Sequence, residues 1–293
     1  MRFVVAVLVF LTFPDIARAV EAKCDDRSML RDSPDCADQI LRPLKQEMDQ
    51  AFAALMGRLS KAGQAEMSIR QSEWQKDFDR DSKKDSVAGL ANSYRARSTL
   101  LRHLNHADTP MIVRRQDRTN LPSKGWIHAE WPLLDGGQPW IKTANEQIDI
   151  FVGDLIPEDT GQSIRTEFSV GLMGPDFVSL ALEVDAYPTE SYPYADYNRH
   201  FLNLTPTGKK AVELAELFVP GSAWGASLEN ACRDVLEDAD MTVVLGGWTA
   251  TEQGISIECR EKIHRNDLAP MADVPWSVLR PMLTSRTLGW LKP

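Results

Sequence analysis

The glycine and proline content of this chain changes near residue 108, and that break constrains its fold more than any other feature. Before it both residues are sparse and apolar positions recur every three or four residues. After it Gly, Pro and Trp become frequent and short alternating segments appear. The first pattern belongs to helices and the second to strands joined by tight turns. The expectation is an α+β chain: an N-terminal helical bundle over residues 20–107, then an α+β domain with a mostly antiparallel sheet over residues 108–293.

In the first part, Ile40, Leu41, Leu44, Met48, Phe52, Leu55, Met56 and Leu59 form one apolar stripe. Gly57 weakens that helix and Gly63 is a candidate stop. A second helix runs through Met67, Trp74 and Phe78 into the charged stretch Asp77–Asp85, and a third carries Val87, Leu90, Tyr94, Leu101 and Leu104. The charge run reads as a solvated face of the bundle.

In the second part, strands are expected at 126–131, 164–172, 177–187, 199–204, 241–245 and 254–261. Helices are expected at 139–155 and 227–237, with a short element at 212–218. Thr205-Pro206-Thr207-Gly208 is a turn signal.

The N-terminus has the order of a secretory signal. Met1-Arg2 supplies a positive charge, and Phe3–Phe13 is an uncharged run of 11 residues whose one polar side chain is Thr12. Pro14-Asp15 and Ala17-Arg18-Ala19 follow, so cleavage is expected after Ala19, with Ala22 as the alternative. The run is too short to span a bilayer, and no later segment is long enough. Lys23 stands where a lipoprotein signal ending at Cys24 needs a small residue. The expected product is soluble, periplasmic or secreted.

The net charge is −9; residues 1–19 hold Arg2, Arg18 and Asp15, a net of +1, which leaves −10 after cleavage. That balance argues against nucleic acid and anionic membranes and favours a basic partner. The four cysteines of an exported chain read as disulfides, paired by proximity as Cys24–Cys36 and Cys232–Cys259. A zinc site is the competing reading, but no C-x-x-C occurs and no histidine has ligand spacing to a cysteine.

Residues 24–104 resemble the LprI-type lysozyme inhibitor family. Cys24 and Cys36 precede a long amphipathic helix, and Arg70-Gln71-Ser72-Glu73-Trp74 and the Leu90…Tyr94…Arg97 helix follow. The family carries Arg-Asp and a cysteine after the tryptophan, where this chain has Phe78-Asp79 and Ser82-Lys83. Residues 126–283 resemble the C-terminal domain of the RsiV anti-sigma factors. The similar stretches are Trp131-Pro132-Leu133-Leu134, Ala144–Ile148, Phe177–Leu180, Tyr197–Gly208, Leu214–Phe218 and Val274–Leu279. Relatives often carry Gly-Ala-His at the position of Ser191–Asp196. RsiV proteins bind lysozyme, so both resemblances imply one ligand class, by analogy at the level of the fold.

No H-E-x-x-H, G-x-S-x-G or Ser-x-x-Lys motif is present, and Gly208-Lys209-Lys210 lacks the rest of a phosphate loop. His103 and His106 lie one turn apart at a helix end, which is half a metal site. Glu183 and Asp185 share one side of an expected strand. A glycosidase carboxylate pair has that character, but so has the solvated face of an antiparallel strand, which is favoured. No catalytic residue, metal or cofactor is therefore expected.

One stretch stands out. Tyr187, Tyr192, Tyr194 and Tyr197 cluster around Glu190 and Asp196, with Pro188 and Pro193 stiffening the segment. Tyrosines suit binding surfaces, and they also cover sheets; both readings stand. The expected function is lysozyme binding, with inhibition by occlusion of the cleft. Tyr187–Tyr197 would be the contact and Trp74, which also suits a bundle core, a second one. The alternative is a non-catalytic envelope module that binds peptidoglycan.

Overall fold

The computed structural model describes residues 34–81, 86–107, 109–119, 121, 125–156, 162–188, 196–206, 211–237, 242–261 and 269–291. The signal-like segment, Cys24 and the proposed Cys24–Cys36 bond lie outside the described residues or rest on side chains that do. Among the described residues no helix is long and apolar enough to cross a membrane.

The fold is α+β, with helices first and mostly antiparallel sheets after them. Contacts divide the chain into two units. Among the described residues, one holds those up to Gly57 together with those of Ser68–His103, and the other holds Arg58–Met67 together with those from Leu104 onward.

The first unit contains α1 (Pro34–Met56), most of α2 (Lys61–Asp81) and nearly all of α3 (Val87–Leu104). Met48, Ala51 and Leu55 of α1 and Val87, Ala91, Tyr94 and Leu101 of α3 are buried. Met48, Leu55, Val87, Tyr94 and Leu101 come from the stripes that the three-and-four spacing marks out, and Ala51 and Ala91 join them. Gln71 Nε2 donates to Met48 Sδ at 3.6 Å and Gln71 Oε1 accepts from Arg97 Nε at 3.0 Å, which ties α2 to both neighbours.

Gly63 does not stop the first helix, which ends at Met56. Gly63 lies in the first turn of α2. Ser60 caps that turn, its Oγ accepting from Gly63 N–H at 3.1 Å, and Asp135 holds Ser60 through its N–H at 2.6 Å and its Oγ at 2.7 Å. A Cβ on residue 63 would stand 2.7 Å from the Asp135 carboxylate, so the glycine is selected by close approach. These bonds join Arg58–Met67 to the second unit. Arg58 adds to them by donating to the carbonyls of His106 at 2.7 Å and Ala107 at 2.8 Å.

The second unit is built on a five-stranded sheet in the order β1 (Met111–Arg118), β2 (Ile127–Leu134), β3 (Gln162–Met173), β4 (Val178–Pro188), β5 (Asp196–Leu204). Only the β2–β3 pairing is parallel. Its crossover is α4 (Pro139–Leu155), which starts on proline as a first helical turn favours. Ile141, Ala144, Ile148 and Val152 of α4 are buried, as are Ile127, Ala129, Trp131, Leu180, Leu182 and Val184 on the strands. Asn145 clamps Leu134 by accepting from its N–H and donating to its carbonyl, each at 2.8 Å. Asp149 accepts from Trp131 Nε1 at 3.0 Å and from Arg114 at 2.9 Å. This is the inner face.

A second, three-stranded antiparallel sheet follows in the order β6 (Val243–Ala250), β7 (Gly254–Glu261), β8 (Met271–Pro275). Around it lie α5 (Trp224–Leu236), α6 (Trp276–Leu279) and α7 (Ser285–Trp290). Its core gathers Phe177, Phe218, Leu228, Trp248, Ile257 and Leu279. Cys232 of α5 and Cys259 of β7 form a buried disulfide with Cα atoms 5.2 Å apart.

The two sheets meet at a buried polar junction. Ser179 Oγ donates to Asn203 Oδ1, Asn203 Nδ2 donates to the Trp248 carbonyl, and Ala250 N–H donates to Ser179 Oγ. A Cβ on Gly171 would overlap the Ala250 carbonyl, and one on Gly247 the Phe201 ring, so both contacts require glycine.

Candidate functional site: the open end of the sheet

The outer face of the five-stranded sheet has a covered end and an open end. At the covered end, Val113 N–H donates to Met67 Sδ at 3.5 Å, and the junction just described lies over Ser179 and Asn203. Strand register places Asp117 opposite His128, His128 opposite Arg165, Arg165 opposite Asp185 and Asp185 opposite Tyr197. This row crosses all five strands at the open end. Beyond it, Arg115 pairs with Glu130 across β1 and β2, and Glu167, Glu183 and Arg199 align across β3, β4 and β5.

Alternating side chains of an edge-to-edge sheet share one face, so charges in these rows become neighbours. Arg115 Nε pairs with Asp117 at 2.6 Å, His128 Nδ1 lies 2.7 Å from Asp117, and Arg115 stands 3.8 Å from Glu130. Arg165 pairs with Glu167 at 2.8 Å and Arg199 with Glu183 at 2.7 Å. Glu183 and Asp185 share one side, as the alternation predicts. The ion pair of Glu183 with Arg199 belongs to a cross-strand charge ladder, and at this point the face is partly covered, since the mostly buried Arg199 also donates to the Ala269 carbonyl at 3.4 Å.

Aromatic rings end the ladder. Trp126, the residue before β2, lies with its ring centroid 6.0 Å from that of Tyr187 on β4. Between them sits buried Ser163, whose Oγ accepts from Trp126 N–H at 3.3 Å, while the Trp126 carbonyl accepts from Ile164 N–H at 2.7 Å. Trp126 is 39% exposed and Tyr197 44%. Tyr187 O–H points to Asp185 Oδ2 at 3.4 Å. Burial raises the Tyr187 phenol above the usual tyrosine value, and the negative charge of Asp185 and the neighbouring Tyr197 add to the effect. The ring therefore stays a neutral donor at physiological pH.

Of the residues singled out by sequence, Tyr187 and Tyr197 lie on this open end. Asp196 opens β5 opposite Ala186, so alternation sets it on the other side of the strand from Tyr197. Glu190, Tyr192 and Tyr194 lie outside the described residues. Trp74 belongs to the helical unit, where its ring lies 5.2 Å from Phe78 and 5.8 Å from Tyr94, with the Arg97 guanidinium 5.7 Å over it. That cluster suits packing between α2 and α3. Sequence reasoning did not mark Trp126, Asp117, His128 or Arg165. Their approach to Tyr187 depends on the long-range parallel β2–β3 pairing, for which local periodicity carries no signal.

No family model and no curated protein matches the sequence. Several solved chains are similar to it, among them two at low identity. One is a DUF3298 family protein from Pseudomonas aeruginosa PAO1, with 13% identity and a TM-score of 0.44 over 61% of this chain and 97% of that one. The other is a member of the same family from Bacteroides fragilis NCTC 9343, with 12% identity and a TM-score of 0.37 over 63% of this chain and 98% of that one. The structural neighbours of this chain are thus DUF3298 family proteins.

Proposed function

We propose that this is an exported, non-catalytic protein that binds a basic protein of the lysozyme class and occludes its substrate cleft. The observation that carries the reading is the surface formed by Trp126, Tyr187, Tyr197 and Asp185 at the open end of the sheet. Exposed aromatic rings beside carboxylates suit recognition of a cationic protein. The rings supply contact area at small entropic cost, and the opposite charge speeds encounter. The net charge of −9, the signal-like residues 1–19 and the resemblances to lysozyme-binding families support it. Glu190, Tyr192 and Tyr194 belong to the same stretch of sequence as Tyr187 and Tyr197 and are included in the proposed contact, whereas Asp196 lies on the other side of β5.

The test is calorimetric titration of the oxidised protein with an animal-type lysozyme at low and high salt. Binding with a Kd on the order of 1 μM or below, weakened by salt, is expected. A second reading is favoured by one observation: the exposed Trp126 indole, with the Tyr187 ring at its side, also suits a sugar face. In that case peptidoglycan fragments bind, lysozyme does not, and salt has little effect.

A further inference from the structure

We infer that Trp126 and Asp185 together form a receptor for one lysine or arginine side chain of the partner, and that this pair anchors the interface. The inference rests on the reading just proposed and specifies what that surface recognises.

Trp126 differs from the other tryptophans. All eight are described, and it is the most exposed of them. The buried Trp131 indole donates to Asp149 and the half-buried Trp276 indole to Thr251, as covered indoles require. The Trp126 indole N–H has no partner among the described residues. Its position is nevertheless fixed. Hydrogen bonds on either side of its backbone tie it to β3, and the Tyr187 ring lies beside it at an interplanar angle of 31°. A large ring already held in place and already exposed loses little freedom when a partner covers it.

Asp185 differs from the other carboxylates of the face in the same way. Asp117, Glu130, Glu167 and Glu183 each have a guanidinium or imidazole partner. Asp185 makes no ion pair among the described residues: Arg165, opposite it in the register, pairs with Glu167, and the hydrogen bond of Asp185 is with the neutral hydroxyl of Tyr187. The carboxylate of the ladder that makes no ion pair among the described residues is therefore linked to the exposed indole through the Tyr187 side chain. A cation over the indole face gains from the ring's quadrupole and from the carboxylate at once. A neutral or acidic partner gains from neither.

The experiment is titration of the full, oxidised chain with animal-type lysozyme, using Trp126→Ala, Trp126→Phe, Asp185→Asn and, as a comparator, Ile150→Ala. Ile150 is 62% exposed on α4, which packs on the inner face. Near-ultraviolet circular dichroism and thermal midpoints verify folding. Trp126→Ala is expected to weaken binding about tenfold or more. Trp126→Phe is expected to fall between it and wild type. Asp185→Asn is expected to weaken binding about fivefold and flatten the salt dependence, and Ile150→Ala to leave affinity unchanged. Wild-type binding with Trp126→Ala and Asp185→Asn both at wild-type affinity would overturn the anchor and leave the lysozyme reading standing. Absence of a wild-type complex overturns both. Should Trp126→Ala lose its fold, Trp126→Phe and Asp185→Asn decide.

Discussion

Ser179 Oγ and Asn203 Oδ1 meet at 2.6 Å in a buried site. The pair is the hinge-pin of the two sheets, since Asn203 also donates to the Trp248 carbonyl at 2.6 Å and Ser179 accepts from Ala250 N–H at 2.8 Å. Asn203→Ala strands a hydroxyl and a carbonyl away from solvent, and the expected loss is about 3 kcal/mol. Urea unfolding measures it, and a change below about 0.5 kcal/mol would contradict the role of the junction.

Gly247 faces the ring of Phe201 with no room for a methyl group. Gly247→Ala is expected to destabilise by about 1–3 kcal/mol, as overpacking does. Adding Phe201→Leu should recover part of that loss. Additive losses in the double variant would show that the two residues are not coupled.

The Cys232–Cys259 bond closes a separation of 27 residues between α5 and β7. In the loop-entropy picture it stabilises by about 3–4 kcal/mol. Replacing both cysteines by serine should lower the unfolding free energy by that order, with a further cost for two buried hydroxyls. Equal stability of the reduced and oxidised protein would contradict this.

His200 on β5 is half-buried, and its pKa lies below the ordinary histidine value. Burial is the largest cause and Arg260 adds to it, while Glu258 opposes. The unfolded histidine, near pH 6.5, binds its proton more tightly than the folded one. Stability from this source is therefore full above pH ~6.5 and is lost as pH falls toward the folded pKa. Urea midpoints at about pH 7.5 and pH 5 should differ more for wild type than for His200→Gln. Equal differences would remove His200 as the cause.

The legible parts of the fold are those where local chemistry agrees with the tertiary result. The helix Pro139–Leu155 begins on proline and keeps its apolar spacing, and the strand Gly254–Glu261 alternates between turn signals. The strand Met111–Arg118 escapes such reading because Arg114–Arg118 is wholly polar, as an edge strand often is. The strand Met271–Pro275 is short and ends in proline at another sheet edge. Gly63 reads as a helix stop because its reason, the Asp135 carboxylate, lies 72 residues away in sequence. The surface shows the same division. Tyrosine clustering draws attention to Tyr187 and Tyr197, but Trp126 reaches them only through the β2–β3 pairing, and Asp196 turns away because strand alternation overrides proximity in sequence.

The central claim is that the open end of the sheet contacts a basic protein. Zero-length carbodiimide cross-linking of the complex with animal-type lysozyme, mapped by mass spectrometry, tests it most directly, because each link joins a carboxylate to a lysine in contact with it. The account predicts links from Asp185 and its neighbours Glu167 and Glu183, lost at high salt. Links confined to carboxylates of the helical unit, such as Glu47 or Asp49, would contradict it.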